Sequence, residues 1–389
     1  LAATTAIPFG AARAAQTRDY RLVAAPGRTR LAGANHPETA VWAFNGQVPG
    51  SEIRVRQGDR VRVVVDNRLD EETTVHWHGL RVPNAMDGVP HLTYEFDVPD
   101  AGTYWYHPHQ RSFEQVGRGL YGPLIVEERD PIRVDRDITW VLDDWRLTKS
   151  AAISEDFGNG HDMSHNGRVG NTVTINGHVP DTVAVQQGER IRLRLINAAN
   201  ARIFGLDFQG HKPMVPDWPL ALPANPLPEP DLQNARRHEV VFNGGMMGGM
   251  VMSEMGGSMG DGSSGGMMGG MGSMMGMMHS GKIWFINGVA ADGHVMDPML
   301  TLERGRSYVL AMANATAWHH PIHLHGHSFR VISRNGQATT HREWQDTVLM
   351  APRERVEIAF VADNPGDWMF HCHILEHQAA GMMGVIRVA

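Results

Sequence analysis

The chain has 389 residues, enough for two or three domains, and 42% apolar with 20% charged residues is a globular and not a disordered composition. Its 35 basic and 42 acidic side chains give −7, which argues against a nucleic-acid partner. No apolar run approaches the ~20 residues of a membrane-spanning helix, and one cysteine excludes an intramolecular disulfide. Beside only 6 Tyr, the 22 His and 23 Met are abnormal counts that point towards metal.

Residues 1–16 are small and apolar and contain Ala12-Arg13-Ala14, which reads as the remnant of an export signal with its cleavage site. A periplasmic or secreted protein is therefore expected, with the fold starting at about residue 17. Three later stretches copy one another: FNGQVPGSEIRVRQGDRVRVVVDN (44–67), INGHVPDTVAVQQGERIRLRLIN (175–197) and the looser INGVAADGHVMDPMLTLERGRSYVLAMAN (286–314). Each has Asn-Gly, then a turn glycine (Gly58, Gly188, Gly305), then an alternating strand ending in Asn. Val61, Val63 and Val65 share one face, as do Ile191, Leu193 and Leu195, with arginines between them. Short strands, Gly/Pro turns and little helical periodicity predict an all-β chain of three related sandwich domains.

A second copy joins the outer two domains: PDAGTYWYHPH (99–109) matches NPGDWMFHCH (364–373). The middle domain has no such copy, and after residue 211 it runs into PDWPLALPANPLPEPD, too Pro-rich for a central strand. The expected division is domain 1 at 17–130, a short domain 2 at 131–212, a Pro-rich linker at 213–231, and domain 3 at 232–389. Domain 3 carries an insertion at 244–281, in which residues 246–278 hold 13 methionines among glycines. Glycine at that density forbids a packed core, and a plain linker would be Gly/Ser-rich, so the thioethers read as soft ligands suited to Cu(I).

Four clusters carry the chemistry: HWHG (76–79), HPH (107–109), HPIHLHG (320–326) and HCHILEH (371–377) followed by Met382. In a strand, i and i+2 project to one face, so His76/His78, His107/His109 and His323/His325 each present two imidazoles together. The same rule sets His371 and His373 on one face and Cys372 on the other, so one strand can serve a metal on each side. One Cys, two His and a Met suit a His₂Cys copper with a weak axial thioether, whereas zinc with this many ligands would use more cysteines. The remaining histidines, His161 and His165 among them, read as solvent-facing or packing residues.

In these four motifs, in order and spacing, the sequence resembles the multicopper oxidases, specifically the three-domain bacterial laccase and copper-efflux (cuprous) oxidase group. The resemblance implies three cupredoxin-like Greek-key β-sandwich domains, the middle one shortened, and four coppers. His320, Cys372, His377 and Met382 would hold the type 1 copper, and His76 and His323 the type 2. His78, His107 and His373 would hold one type 3 copper, and His109, His325 and His371 the other. Electrons would pass from the type 1 copper along Cys372 to His371 and His373, and O₂ would be reduced to water. Asp87 in NAMDGVP resembles the family's proton-supplying acid, with a turn cap as the plainer reading. Three departures stand out. Gln378 occupies a position that is often acidic, the loop near residues 93–94 is short, and the second half of the middle domain is missing. The runner-up fold, a two-domain small laccase, is disfavoured by the repeat at 175–197. The reducing substrate would be Cu(I) or a phenol. The alternative functions are a periplasmic copper-binding or storage protein using the Met-rich segment, and a ligand-free scaffold, which the complete ligand set contradicts.

Overall fold

A computed structural model describes residues 15–207, 222–246, 281–292 and 297–389. The signal-like residues up to 14, the Pro-rich stretch as far as 221 with His211, and the Met-rich segment from 247 lie outside the described residues. The described chain is built mostly of strands with a few one-turn helices, and none of its helices is long and apolar enough to cross a membrane.

The three sequence copies fold into one local unit, used three times. A long strand pairs parallel with the strand that follows the turn glycine: Thr17–Thr29 with Arg60–Asn67, Arg136–Trp145 with Ile191–Asn197, and Arg236–Gly244 with Ser307–Asn314. The end of each long strand pairs antiparallel with the strand that leads into Asn-Gly. Asn45, Asn176 and Asn287 have φ of 57°, 53° and 50°, and the glycine after each is also positive, as a tight hairpin turn demands. Each Asn Oδ1 accepts the backbone N–H of the long strand, from Val23, Val141 and Val241, at 2.8 Å. The Asn-Gly of the repeat thus tolerates the left-handed turn and also ties it to the strand it must pack beside.

Around this unit the outer two regions complete sandwiches. The first adds the sheet Ile53–Arg56, Gly122–Glu127, Gly102–His107, His76–His78. The third adds Leu300–Leu302, Met383–Val388, Gly366–Cys372, His320–Leu324, Thr347–Met350. Each encloses its own apolar cluster, with Trp77, Tyr94 and Phe96 in the first and Phe242, Trp284, Phe329 and Trp368 in the third. The middle region contributes one three-stranded sheet among the described residues. Its core is shared: Val141, Trp145, Leu147, Ile153 and Ile196 pack with Leu31, Val41, Trp105, Val116 and Tyr121 of the first region.

That sharing reverses one sequence expectation. The apolar face of Ile191–Asn197 would be the core face, yet Leu195 is 45% exposed while Arg194 is 3% exposed and Ile196 buried. With no second sheet described on its outer side, the strand packs its arginine face on the first region. Arg194 is held bidentate by Asp137, Nε at 2.7 Å and Nη2 at 2.8 Å, and donates to Thr103 Oγ1. Arg192 is likewise held by both oxygens of Glu128. Arg192–Glu128 and Arg194–Thr103 thus add polar joins beside the shared apolar core, while the Arg194–Asp137 pair braces the middle sheet itself.

Arg194→Met should lower stability by about 2 kcal/mol, below the full cost of breaking a buried pair because Asp137 is partly exposed. Leu195→Thr, on the opposite face of the same strand, should cost less than about 0.5 kcal/mol. Urea midpoints of the two variants check the inversion; a larger loss in Leu195→Thr would contradict it.

Candidate metal centre

The outer regions meet where their histidine strands face each other. Strand register builds the first contacts: His76 lies opposite His107, and His323 opposite His371. His109 is fixed by its N–H to Thr74 Oγ1 and His373 by its N–H to Pro321 O. Arg81 clamps the junction, pairing with Asp100 at 2.8 Å and with Asp363 at 2.9 Å across it, while Asn84 donates to Asp367 O and Asn364 to Val82 O. Gly79 (φ +86°) is required here, because a Cβ would stand 2.6 Å from Asp346 Oδ2.

Hydrogen bonds at the outer edge of each ring decide which nitrogen faces inward with a lone pair. His76 and His325 donate from Nδ1 to the two oxygens of Asp87, at 2.5 and 2.6 Å. His323 Nδ1 donates to Asp346 O, His371 Nδ1 to Cys372 O, and His107 Nδ1 to Pro108 O. Each of these rings therefore presents Nε2. His78 is the reverse: its Nε2 donates to Asp346 Oδ1 at 3.0 Å and its buried Nδ1 has no protein partner. The inward nitrogens face one another, His76 to His323 at 3.3 Å, His325 to His371 at 3.0 Å and His107 to His373 at 3.4 Å. Facing lone pairs repel unless a cation lies between them, and the unpartnered Nδ1 of His78 is the orphan such an ion would satisfy.

A second centre lies on the other side of the strand Gly366–Cys372. Cys372 Sγ is 3.4 Å from His320 Nδ1 and 3.7 Å from His377 Nδ1, and the two nitrogens are 3.1 Å apart. Thr316 Oγ1 donates to Asn314, so it accepts from His320 Nε2–H at 2.8 Å; His377 Nε2–H donates to His165 O at 2.7 Å. Both rings are thereby set to offer Nδ1 beside the sulfur. Met382 is fully buried, and its backbone closes the loop by accepting from Cys372 N–H and donating to His377 O. Trp284 packs on His377 with ring centroids 4.2 Å apart.

Burial governs the protonation states. Desolvation first, then the like charge of neighbouring imidazoles, holds His76, His109 and His373 well below the usual range; the same two causes push His78 down to about 4. Burial alone pushes His377 down to about 3 despite its bond to His165 O. The rings are neutral at pH 7, the state a metal needs. Burial also pushes the Cys372 thiol up, so only a strongly bound cation would remove its proton. The donor set fits copper: imidazoles for the deep cluster, and two imidazoles with a thiolate for the other centre.

The structure brings together the predicted histidines, Cys372 and Met382, and it places Asp87 beneath two of the rings. Sequence reading missed Asp346, Thr347, Thr316 and the carbonyl of His165, which orient rings; Thr316 lies four residues before His320, and the others hold rings more distant in the chain. Only Asp346-Thr347, just before an alternating apolar run, carried a faint signal. Gln378, at the position often acidic in the resembling family, approaches His109 Nδ1 with its Nε2 at 3.2 Å and accepts from Ser112 Oγ. A carboxamide there can orient His109 but has no proton to exchange.

Residues 27–131, 136–215 and 272–389 match the multicopper oxidase family. The chain is 30% identical to a multicopper oxidase of Staphylococcus haemolyticus over 403 residues, spanning 95% of this chain and 88% of that protein. The crystal structure of a multicopper oxidase from Pseudomonas thermotolerans superposes with a TM-score of 0.81 at 30% identity, covering 97% of this chain and all of the other. A multicopper oxidase from Campylobacter jejuni, described as a metallo-oxidase, gives 0.72 at 25% identity, covering 96% and 91%.

Asp87→Asn should weaken copper binding at the deep cluster by about 10- to 100-fold. One carboxamide supplies a single oxygen, so either His76 or His325 would meet an N–H, move its own proton to Nε2 and lose its inward lone pair. Equilibrium dialysis against copper, with the Cys372 centre followed by its colour, checks this; unchanged copper content would refute it.

Proposed function

The chain belongs to the multicopper oxidase family, and we propose that within it this protein oxidises Cu(I) while reducing O₂ to water. The copper ligands in this reading are His320, Cys372, His377 and Met382 for type 1 and His76 and His323 for type 2. The type 3 pair takes His78, His107 and His373 on one side and His109, His325 and His371 on the other, giving four coppers per chain. The observation that carries the oxidase reading is the set of facing imidazole nitrogens at 3.0–3.4 Å, one peptide bond from the Cys372 centre. Bound copper supplies the redox chemistry, taking single electrons near the surface and delivering four to O₂ at depth.

The protein's own part is positioning. Asp87 and Asp346 hold the deep rings in the tautomers that ligate, and Thr316 and the His165 carbonyl do so at the Cys372 centre. The backbone from Cys372 to His371 and His373 is the short covalent link between the two centres. Asp87, buried and in contact with two ligand rings, is placed to pass a proton inward, and Gln378 is not.

Support for Cu(I) as the reductant comes from the 13 methionines of residues 246–278. The first of them, Met246, donates its backbone N–H to Ser164 O, one residue from the carbonyl that holds His377. The domain division at 17–130, 131–212 and 232–389 belongs to the same proposal and is supported by the three repeated strand units. So do export and a role in copper homeostasis, for which the small apolar residues 1–16 speak.

Two experiments test this. Cys372→Ser should abolish the blue thiolate colour of the copper-loaded protein and leave about three of four coppers bound; a blue variant would sink the assignment. Deleting 246–278 should cut Cu(I) oxidation steeply while phenol oxidation holds or rises, at matched copper loading. Unchanged Cu(I) turnover would remove the cuprous reading, and copper binding without O₂ consumption in the intact protein would favour storage instead.

A further inference from the structure

The short helix Gly160–Ser164 lies over the Cys372 centre, and its C-terminal end is bonded into it twice. Trp284 Nε1, from the ring that packs on His377, donates to Met163 O at 2.7 Å. The carbonyl of His165, the residue after the helix, accepts His377 Nε2–H at 2.7 Å. On the outer face of this turn, His161 and His165 stand four residues apart with their rings stacked, centroids at 4.3 Å and planes within 6°. The sequence reading had left both as ordinary surface histidines.

The geometry points to His161 and His165 as a binding site for the substrate Cu(I) at the electron-entry face of the protein. His165 Nδ1–H donates to His161 O and to Ser164 Oγ, whose own hydroxyl donates to Gly160 O. This fixes the tautomer and leaves His165 Nε2 as a lone pair. The His161 side chain is 76% exposed, so its ring is free to turn a nitrogen towards an ion held by His165. Two imidazoles one helical turn apart are a chelating pair, and a two-coordinate nitrogen site suits Cu(I). Asp162, between them in sequence, places a carboxylate oxygen 3.8 Å from His161 Nδ1, but both of its oxygens are held by Arg146, so it orients the turn and adds no free charge. Trp318 sets its ring at 5.4 Å against His165, covering one side.

The location separates this pair from a chance surface cluster. From His165 the route inward is its own backbone to the carbonyl, then one hydrogen bond to His377. A Cu(I) ion here gives one electron to the Cys372 centre and leaves as Cu(II). Four such ions and four protons match one O₂ reduced to two waters, the O₂ being the family's oxidant. Met246, the first methionine of the Met-rich stretch, is tied to the same turn through Ser164 O.

This inference rests on the cuprous-oxidase reading, so its test includes a probe that does not turn over. Ag(I), a redox-inert stand-in for Cu(I), would be titrated into copper-loaded full-length protein carrying ¹⁵N-labelled histidine. The ring-nitrogen signals of two histidines should move, and both shifts should vanish in His161→Ala, an exposed substitution that leaves the fold intact. In steady state, His161→Ala should raise KM for Cu(I) by about tenfold or more, with kcat/KM for a phenol unchanged. Ag(I) that leaves these rings unmoved, or moves the His165 ring equally in His161→Ala, would overturn the site. Two shifted rings in a protein that does not oxidise Cu(I) would keep the cation site and remove the cuprous reading instead.

Discussion

Buried imidazole lone pairs that face each other across 3.0–3.4 Å are the feature on which the rest of this structure depends. Left alone they repel, and burial disfavours the charged form of His76 and His373. Five of the six rings are pinned from behind by an acceptor on a rigid element: Asp87 for His76 and His325, and the carbonyls of Asp346, Cys372 and Pro108 for His323, His371 and His107. A site of this kind is preorganised for metal at the expense of the metal-free fold. The Arg81 clamp between Asp100 and Asp363 acts in the same sense, since it opposes the parting of the two halves.

The middle region explains how the halves are kept in register with so little material. Its described part is one sheet with a borrowed core, bonded to the first region by Arg192 and Arg194. It reaches the third region through Asn200, which donates to Glu376 beside His377. The turn at Gly160–Ser164 extends that contact over the Cys372 centre. A region that lends no ligand to the Cys372 centre or the deep cluster thus touches both metal-facing sandwiches and supplies the carbonyl that fixes one ligand ring.

Gln378 marks where this chain departs from the pattern it resembles. A carboxylate at that position could accept from His109 and also carry a proton; the carboxamide turns its Nε2 to His109 Nδ1 and its oxygen to Ser112, and does neither. The acids that touch the deep rings are then the buried Asp87 and, from the other side, the partly exposed Asp346, both already engaged by imidazoles.

Much of this was legible in the chain. Alternation and Asn-Gly turns determined the repeated strand unit, because a period of two residues and a left-handed turn are local properties. The i, i+2 spacing within HWH and HCH likewise determined which side chains share a face. What the sequence could not carry was set by contacts between distant segments. Which face of Ile191–Asn197 is buried depended on what the strand packs against, and the arginine face won because its partner is the first region rather than a second sheet of its own. The ring tautomers of His78 and His377 depended on Asp346 and the His165 carbonyl, drawn from segments more than two hundred residues away. His161 and His165 looked like ordinary surface residues until the fold set their turn over Cys372. Local periodicity fixes what a segment can present; only packing fixes what it faces.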